Sequence, residues 1–134
     1  MQFIPYLNFQ GNCGEAFRFY HQLFGGKVEI MTFGESPMAK EVPPEMHSQV
    51  IHAYLESDGH KLMGSDSPPD RFEKAQGIYV STQPKTVAEG ERIFNELAKG
   101  GTVIMPFAQT FWAQRFGMVI DRFGTPWMVN VGPA

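Results

Sequence analysis

The chain has 134 residues and a mass of 15.1 kDa, enough for one domain with a core and too little for two full-sized independent ones. Hydrophobic residues at 43% against charged residues at 19% exclude a disordered chain. A formal charge of -3, without a basic cluster, excludes the electrostatic footprint of a nucleic-acid binder.

Cys13 is the single cysteine, so there is no intramolecular disulfide framework, and the four histidines lie too far apart for a zinc-finger spacing. The start, Met1-Gln2-Phe3-Ile4-Pro5, lacks the basic-then-apolar build of a signal peptide, and no apolar run approaches the ~18 residues of a membrane span. The expectation is a cytoplasmic domain with no membrane partner.

In chain order, residues 3–9 read as a strand, followed by a helix over 12–26. Asn12 and Glu15 have the spacing of a capping box, Ala16, Phe19, Tyr20, Leu23 and Phe24 share one face, and Gly25-Gly26 stops the helix. Residues 28–33 make the next strand. Residues 34–49, with Pro37, Pro43 and Pro44, exceed the usual connection length and read as either a lid or an arm against a partner. Residues 50–56 and 60–65 form a hairpin about Ser57-Asp58-Gly59. The pattern then starts again. Residues 66–76, Pro-rich and charged, read as a linker, and 77–82 as a strand. In the helix over 86–101, Thr86 matches Asn12, Glu89 matches Glu15 and Arg92 matches Arg18. Val87, Phe94, Leu97 and Ala98 form its apolar face, and Gly100-Gly101 ends it. Strands follow at 102–105, 116–121 and 126–131, the last two about a turn at Arg122-Phe123-Gly124.

The fold class expected is therefore α+β: two β-α-β-β-β modules, 1–66 and 77–134, in one domain. A lone module leaves one face of its sheet bare, so two must share a core, within one chain or between chains.

Paired modules of this kind resemble the vicinal oxygen chelate superfamily, which includes glyoxalase I, bleomycin-resistance proteins and extradiol dioxygenases. The segments Gly11-Asn12-Cys13-Gly14-Glu15-Ala16, Thr32-Phe33-Gly34-Glu35-Ser36-Pro37, Met63-Gly64-Ser65-Asp66, Thr110-Phe111-Trp112 and Pro126-Trp127-Met128-Val129-Asn130 are similar to its PhnB-like branch, in order and over nearly the whole chain. Proteins of that branch carry the labels of phosphonate-metabolism accessory or 3-demethylubiquinone 3-methyltransferase-like. The resemblance implies the curled two-module sheet, a homodimer and a small-molecule site. It does not bring the glycine-rich loop or the α/β sheet order that binding S-adenosylmethionine needs, nor is there a phosphate-binding loop.

The superfamily's usual divalent metal is held by His and Glu from the first and last strands of each module. The resemblance places Pro5, Met63, Tyr79 and Met128 at those positions, and none is a good ligand for a hard cation. Shifts of one or two residues offer Tyr6, Ser65 and Asn130, which are weak donors. The expectation is no metal and no cofactor. The candidate ligand-binding residues are Tyr79, Met63, Met128, Asn130, Phe111, Trp112 and Arg115, a set rich in Met and aromatics that suits an apolar or aromatic small molecule. Arg115 reads either as an anion anchor or as a partner of Asp121. Cys13 reads as a packing thiol. His47 and His52 offer acid–base chemistry with Glu35 or Asp66, whereas His21 and His60 read as solvated. No catalytic residue is assigned. A metal-free binding protein and a lyase, isomerase or dioxygenase with shifted ligands both stay open, as does a protein-partner role for 34–49.

Overall fold

Spacings of three and four residues put Cys13, Ala16, Phe17, Tyr20 and Leu23 on one stripe of a helix. In the computed structural model, which describes residues 1–133, all five are buried along α1 (Cys13–Phe24). The chain divides between Glu73 and Lys74 into two compact units, inside the segment expected to be the linker.

The first unit holds β1 (Tyr6–Phe9), α1, β2 (Lys27–Thr32), β3 (Val50–Ser57) and β4 (His60–Asp66). The strand order is β1-β4-β3-β2, with β1 parallel to β4 and the other pairs antiparallel. Ala53, Leu55, Leu62 and Gly64 face α1. A Cβ on Gly64 would lie 2.8 Å from Phe17 Cε1, so the missing side chain sets how closely helix and sheet approach. The second unit holds β5 (Val80–Thr82), α2 (Val87–Ala98), β6 (Thr102–Ala108), β7 (Arg115–Ile120) and β8 (Pro126–Val131), in the order β5-β8-β7-β6. It repeats the first unit's order strand for strand, with β5 parallel to β8. Ile93, Phe94 and Leu97 of α2 pack on Val119, Trp127, Val129 and Val131. Gly117 is placed like Gly64: a Cβ there would lie 2.6 Å from Phe94 Cε1. This is the α+β architecture expected.

Several local expectations are corrected. The first strand starts at Tyr6, not Phe3. Pro5 has no N–H to donate, and its carbonyl accepts from Met63 N as the last contact of the parallel ladder. The fifth strand is Val80–Thr82, so Gly77–Tyr79 lie outside it; Gly77 has φ 78°, a turn conformation. β6 runs three residues past the expected end, through Pro106, which an edge strand tolerates. Phe19 is only half-buried, and Phe17 takes the core place.

The caps also differ. Thr86 Oγ1 accepts from Glu89 N at 3.1 Å, as the capping box requires. Asn12 makes no side-chain cap. The buried Asp66 carboxylate, from the end of β4, accepts instead from Gly11 N (2.8 Å), Cys13 N (3.0 Å) and Val50 N (2.8 Å). Asp66 therefore belongs to the core of the first unit and not to a solvated linker.

Candidate functional site

Strand alternation gives each sheet one face against its helix and one facing away. In the first unit the outward set includes Tyr6 on β1, Met63 and Ser65 on β4, and His52 and Tyr54 on β3. Tyr6 and His52 stack with centroids 5.9 Å apart, and Tyr6 Oη lies 3.2 Å from His52 Nδ1. Met63 is in register with both Tyr6 and Tyr54. Partial desolvation, with Glu56 and Glu29 nearby, holds the Tyr54 phenol above its ordinary pKa.

The acid–base pairs proposed for the histidines are not formed. Asp66 is on the opposite, helix-facing side of the sheet, committed to three amides. Glu35 accepts from Thr32 N (3.0 Å) and Thr32 Oγ1 (2.8 Å), which lowers its carboxyl pKa. His47 binds the Ala39 carbonyl through Nε2 at 2.8 Å, and His52 takes Tyr6 as its partner. Cys13 is fully buried, and its pKa is raised by desolvation and then by Asp66, which fits the packing role.

In the second unit the outward set on β7 and β8 is Phe116, Met118, Ile120, Met128 and Asn130, all half-buried and alternating with buried neighbours. Trp112, from the loop between β6 and β7, reaches this set by an edge contact with Phe116 (5.5 Å) and makes a second edge contact with Phe111 (4.9 Å). Phe111 itself is 93% exposed. Because β5 and β8 run parallel, the residues that follow them emerge side by side. Gln83, Pro84 and Lys85 after β5, and Pro133 after β8, line a cleft of about 560 Å³ with Trp112 and Asn130. Asn130 Oδ1 is buried there without a hydrogen-bond partner.

Of the seven candidate residues, Trp112 and Asn130 thus line one cleft, Phe111 touches Trp112, and Met128 shares the outward face. Tyr79 sits half-buried just before β5. Met63 belongs to the first unit. Arg115 pairs in register with Val131, on the helix side of the sheet, and lines a different groove of about 370 Å³ with Glu91, Phe94, Val103 and Phe107. Nor does Arg115 sit beside Asp121, since Arg115 begins the six-residue strand β7 and Asp121 follows its end, roughly 20 Å away at the usual rise. Asp121 accepts from Phe123 N, Thr125 N and Trp127 Nε1. Sequence reasoning missed Gln83, Pro84, Lys85 and Pro133. The signal available was the parallel pairing of each module's first and last strands, which brings the segments after them together.

No three of His, Cys, Asp and Glu converge on a point among the described residues. Pro5 has no donor side chain, Met63 and Met128 offer thioethers and Tyr79 a phenol, and none of these suits a hard divalent ion. No helix among the described residues is long and apolar enough to cross a membrane.

The model of the 3-demethylubiquinone-9 3-methyltransferase family matches residues 1–130. The chain is 47% identical to protein PA1353 of Pseudomonas aeruginosa, covering 98% of this chain and 97% of that one with a TM-score of 0.89. It is 36% identical to Protein YjdN of Escherichia coli, over 98% of this chain and 95% of its relative. A PhnB protein from Bacillus cereus is similar at 26% identity and TM-score 0.81, covering 98% and 100% of the two chains. The fold alone extends to a glyoxalase/bleomycin resistance protein/dioxygenase family enzyme from Burkholderia phytofirmans, at 12% identity, TM-score 0.63 and coverage of 96% and 95%. The chain therefore belongs to the 3-demethylubiquinone-9 3-methyltransferase family.

Proposed function

We propose that this protein binds a small, partly aromatic molecule without a metal ion, on the sheet faces turned away from the helices. The observation that carries this reading is the outward face of the second unit. Phe116, Met118 and Met128, with Trp112 beside them, present deformable apolar surface where a metal site would need imidazole or carboxylate. The family's methyltransferase name finds little support in this architecture. Each sheet has one parallel pair out of three, unlike the parallel α/β sheets that carry S-adenosylmethionine loops. Elemental analysis of protein purified without chelator, with native mass spectrometry of the same sample, tests the proposal. The expected outcome is no stoichiometric metal and a co-purifying or added organic ligand; one equivalent of Zn, Ni, Mn or Fe overturns it.

The hydrogen-bonded Tyr6–His52 pair favours a second reading, a lyase or isomerase in which Tyr6 positions the imidazole through Nδ1 and His52 moves a proton at Nε2. That reading requires turnover of a vicinal-oxygen substrate that His52→Gln abolishes. We also propose a homodimer, supported by the exposed apolar residues Val103, Ile104 and Met105 on edge strand β6, and a cytoplasmic location.

A further inference from the structure

Flat apolar surfaces, one cation and the side-chain amide of Asn130 meet in the cleft at the ends of β5 and β8. Trp112 supplies an aromatic wall, and Pro84 and Pro133 supply rigid, flat ones. Lys85 reaches the same cleft and forms no ion pair among the described residues. Asn130 Oδ1 is withdrawn from water and hydrogen-bonded to nothing, a state that costs free energy until a donor arrives. Asn130 ends in a broad, two-fold torsion, and half a turn about χ2 exchanges Oδ1 with Nδ2, so either end of the amide can be turned to the cleft that the residue lines. Oδ1 lies beside Gly132, where a Cβ would come into ordinary contact with it at 3.7 Å. A cleft of about 560 Å³ is ample for one or two fused rings.

We infer that this cleft takes a planar aromatic anion carrying an N–H or O–H donor: the ring lies against Trp112 and the prolines, the donor bonds Asn130 Oδ1, and the acidic group faces Lys85. The inference rests on the small-molecule reading above and narrows it to one chemistry at one end of the sheet. Of the positions weighed for a metal it involves only the shifted one, Asn130.

The test uses the full-length protein and three matched probes: indole-3-carboxylate, its 1-methyl derivative, which lacks the N–H, and its methyl ester, which lacks the charge. Titrations followed by the two tryptophan indole N–H signals in a 15N NMR spectrum give affinity and position together. Trp112 reports the cleft, and Trp127, bonded to Asp121 in the core, reports folding. Indole-3-carboxylate is expected to shift the Trp112 signal and leave Trp127 in place. The 1-methyl derivative should bind about tenfold more weakly, a preference that Asn130→Leu removes, and the ester about threefold more weakly, a preference that Lys85→Gln removes. Equal affinity for the acid and its 1-methyl derivative, or a preference surviving Asn130→Leu with Trp127 unmoved, overturns the inference. So does failure of all three probes to bind at millimolar concentration. If the probes bind without these preferences and shift the Met118 and Met128 methyls instead, the ligand chemistry fails while the small-molecule reading stands.

Discussion

Asp66 performs the task that the spacing assigns to Asn12, and it does so from another strand. Its carboxylate fixes the first turn of α1 and the start of β3 at once, by bonding Gly11 N, Cys13 N and Val50 N. Removing it leaves three backbone donors without an acceptor, two of the bonds being buried, so Asp66→Ala should destabilise the protein by about 3 kcal/mol or more. Urea unfolding checks this as a fall in midpoint at unchanged slope. Cys13, beside Asp66, gives a second prediction. Its folded pKa lies above its ordinary value near 9, chiefly through burial and then through the Asp66 charge. The folded state therefore holds the thiol proton more tightly than the unfolded one. Its contribution to stability is complete below about pH 9 and declines as pH rises beyond that. At pH 8 a thiol reagent should modify Cys13 only after denaturant is added; rapid labelling of the native protein contradicts the packing role.

Among the elements, the two helices test how far a local motif can be read. Thr86 makes its capping bond while Asn12 makes none, although both precede a Glu at the same spacing. Thr86→Ala should cost about 1 kcal/mol, and Asn12→Ala a few tenths at most. Thermal or urea melts of the two variants decide it, and equal losses refute the difference. Helices, sheet faces and module order were legible because period and punctuation are local properties: α1 and α2 end where Gly25 and Gly100 take φ of 73° and 72°. The cap at Asn12 was not, because its replacement comes from 53 residues away, between Cys13 and Asp66. The candidate site was legible in composition and less so in place. Trp112, Met128 and Asn130 share the outward side of the second sheet, but strand register sends Arg115 to the helix side. Lys85 was missed because its closeness to Pro133 comes from the parallel pairing of β5 and β8, which alternation within a single strand does not reveal.

At the scale of the whole molecule, the two sheet edges made by β2 and β6 are treated differently by the sequence. β2 carries Lys27 and Glu29, which pair at 3.5 Å and keep that edge charged. β6 exposes Val103, Ile104 and Met105 by 44%, 48% and 42%, and no charged residue interrupts the strand. Two irregularities in its register and Pro106, which lacks an N–H, spoil the edge for backbone pairing with another strand. A partner at this edge must then be held by side-chain burial, and a two-fold axis lets one apolar patch serve both chains. Light scattering coupled to size exclusion at micromolar concentration should give twice 15.1 kDa for the wild-type protein. Ile104→Glu places a charge in the middle of this exposed edge and should return the mass to 15.1 kDa with the far-ultraviolet dichroism unchanged. Deleting residues 36–46 separates the alternatives for the long connection. That segment is tied to its own base by the Phe33 N–Gln49 O and Gly34 N–His47 O bonds, so a dimer that survives the deletion assigns it to a lid. A wild-type mass of 15.1 kDa refutes the dimer, and a dimer untouched by Ile104→Glu moves the interface away from β6.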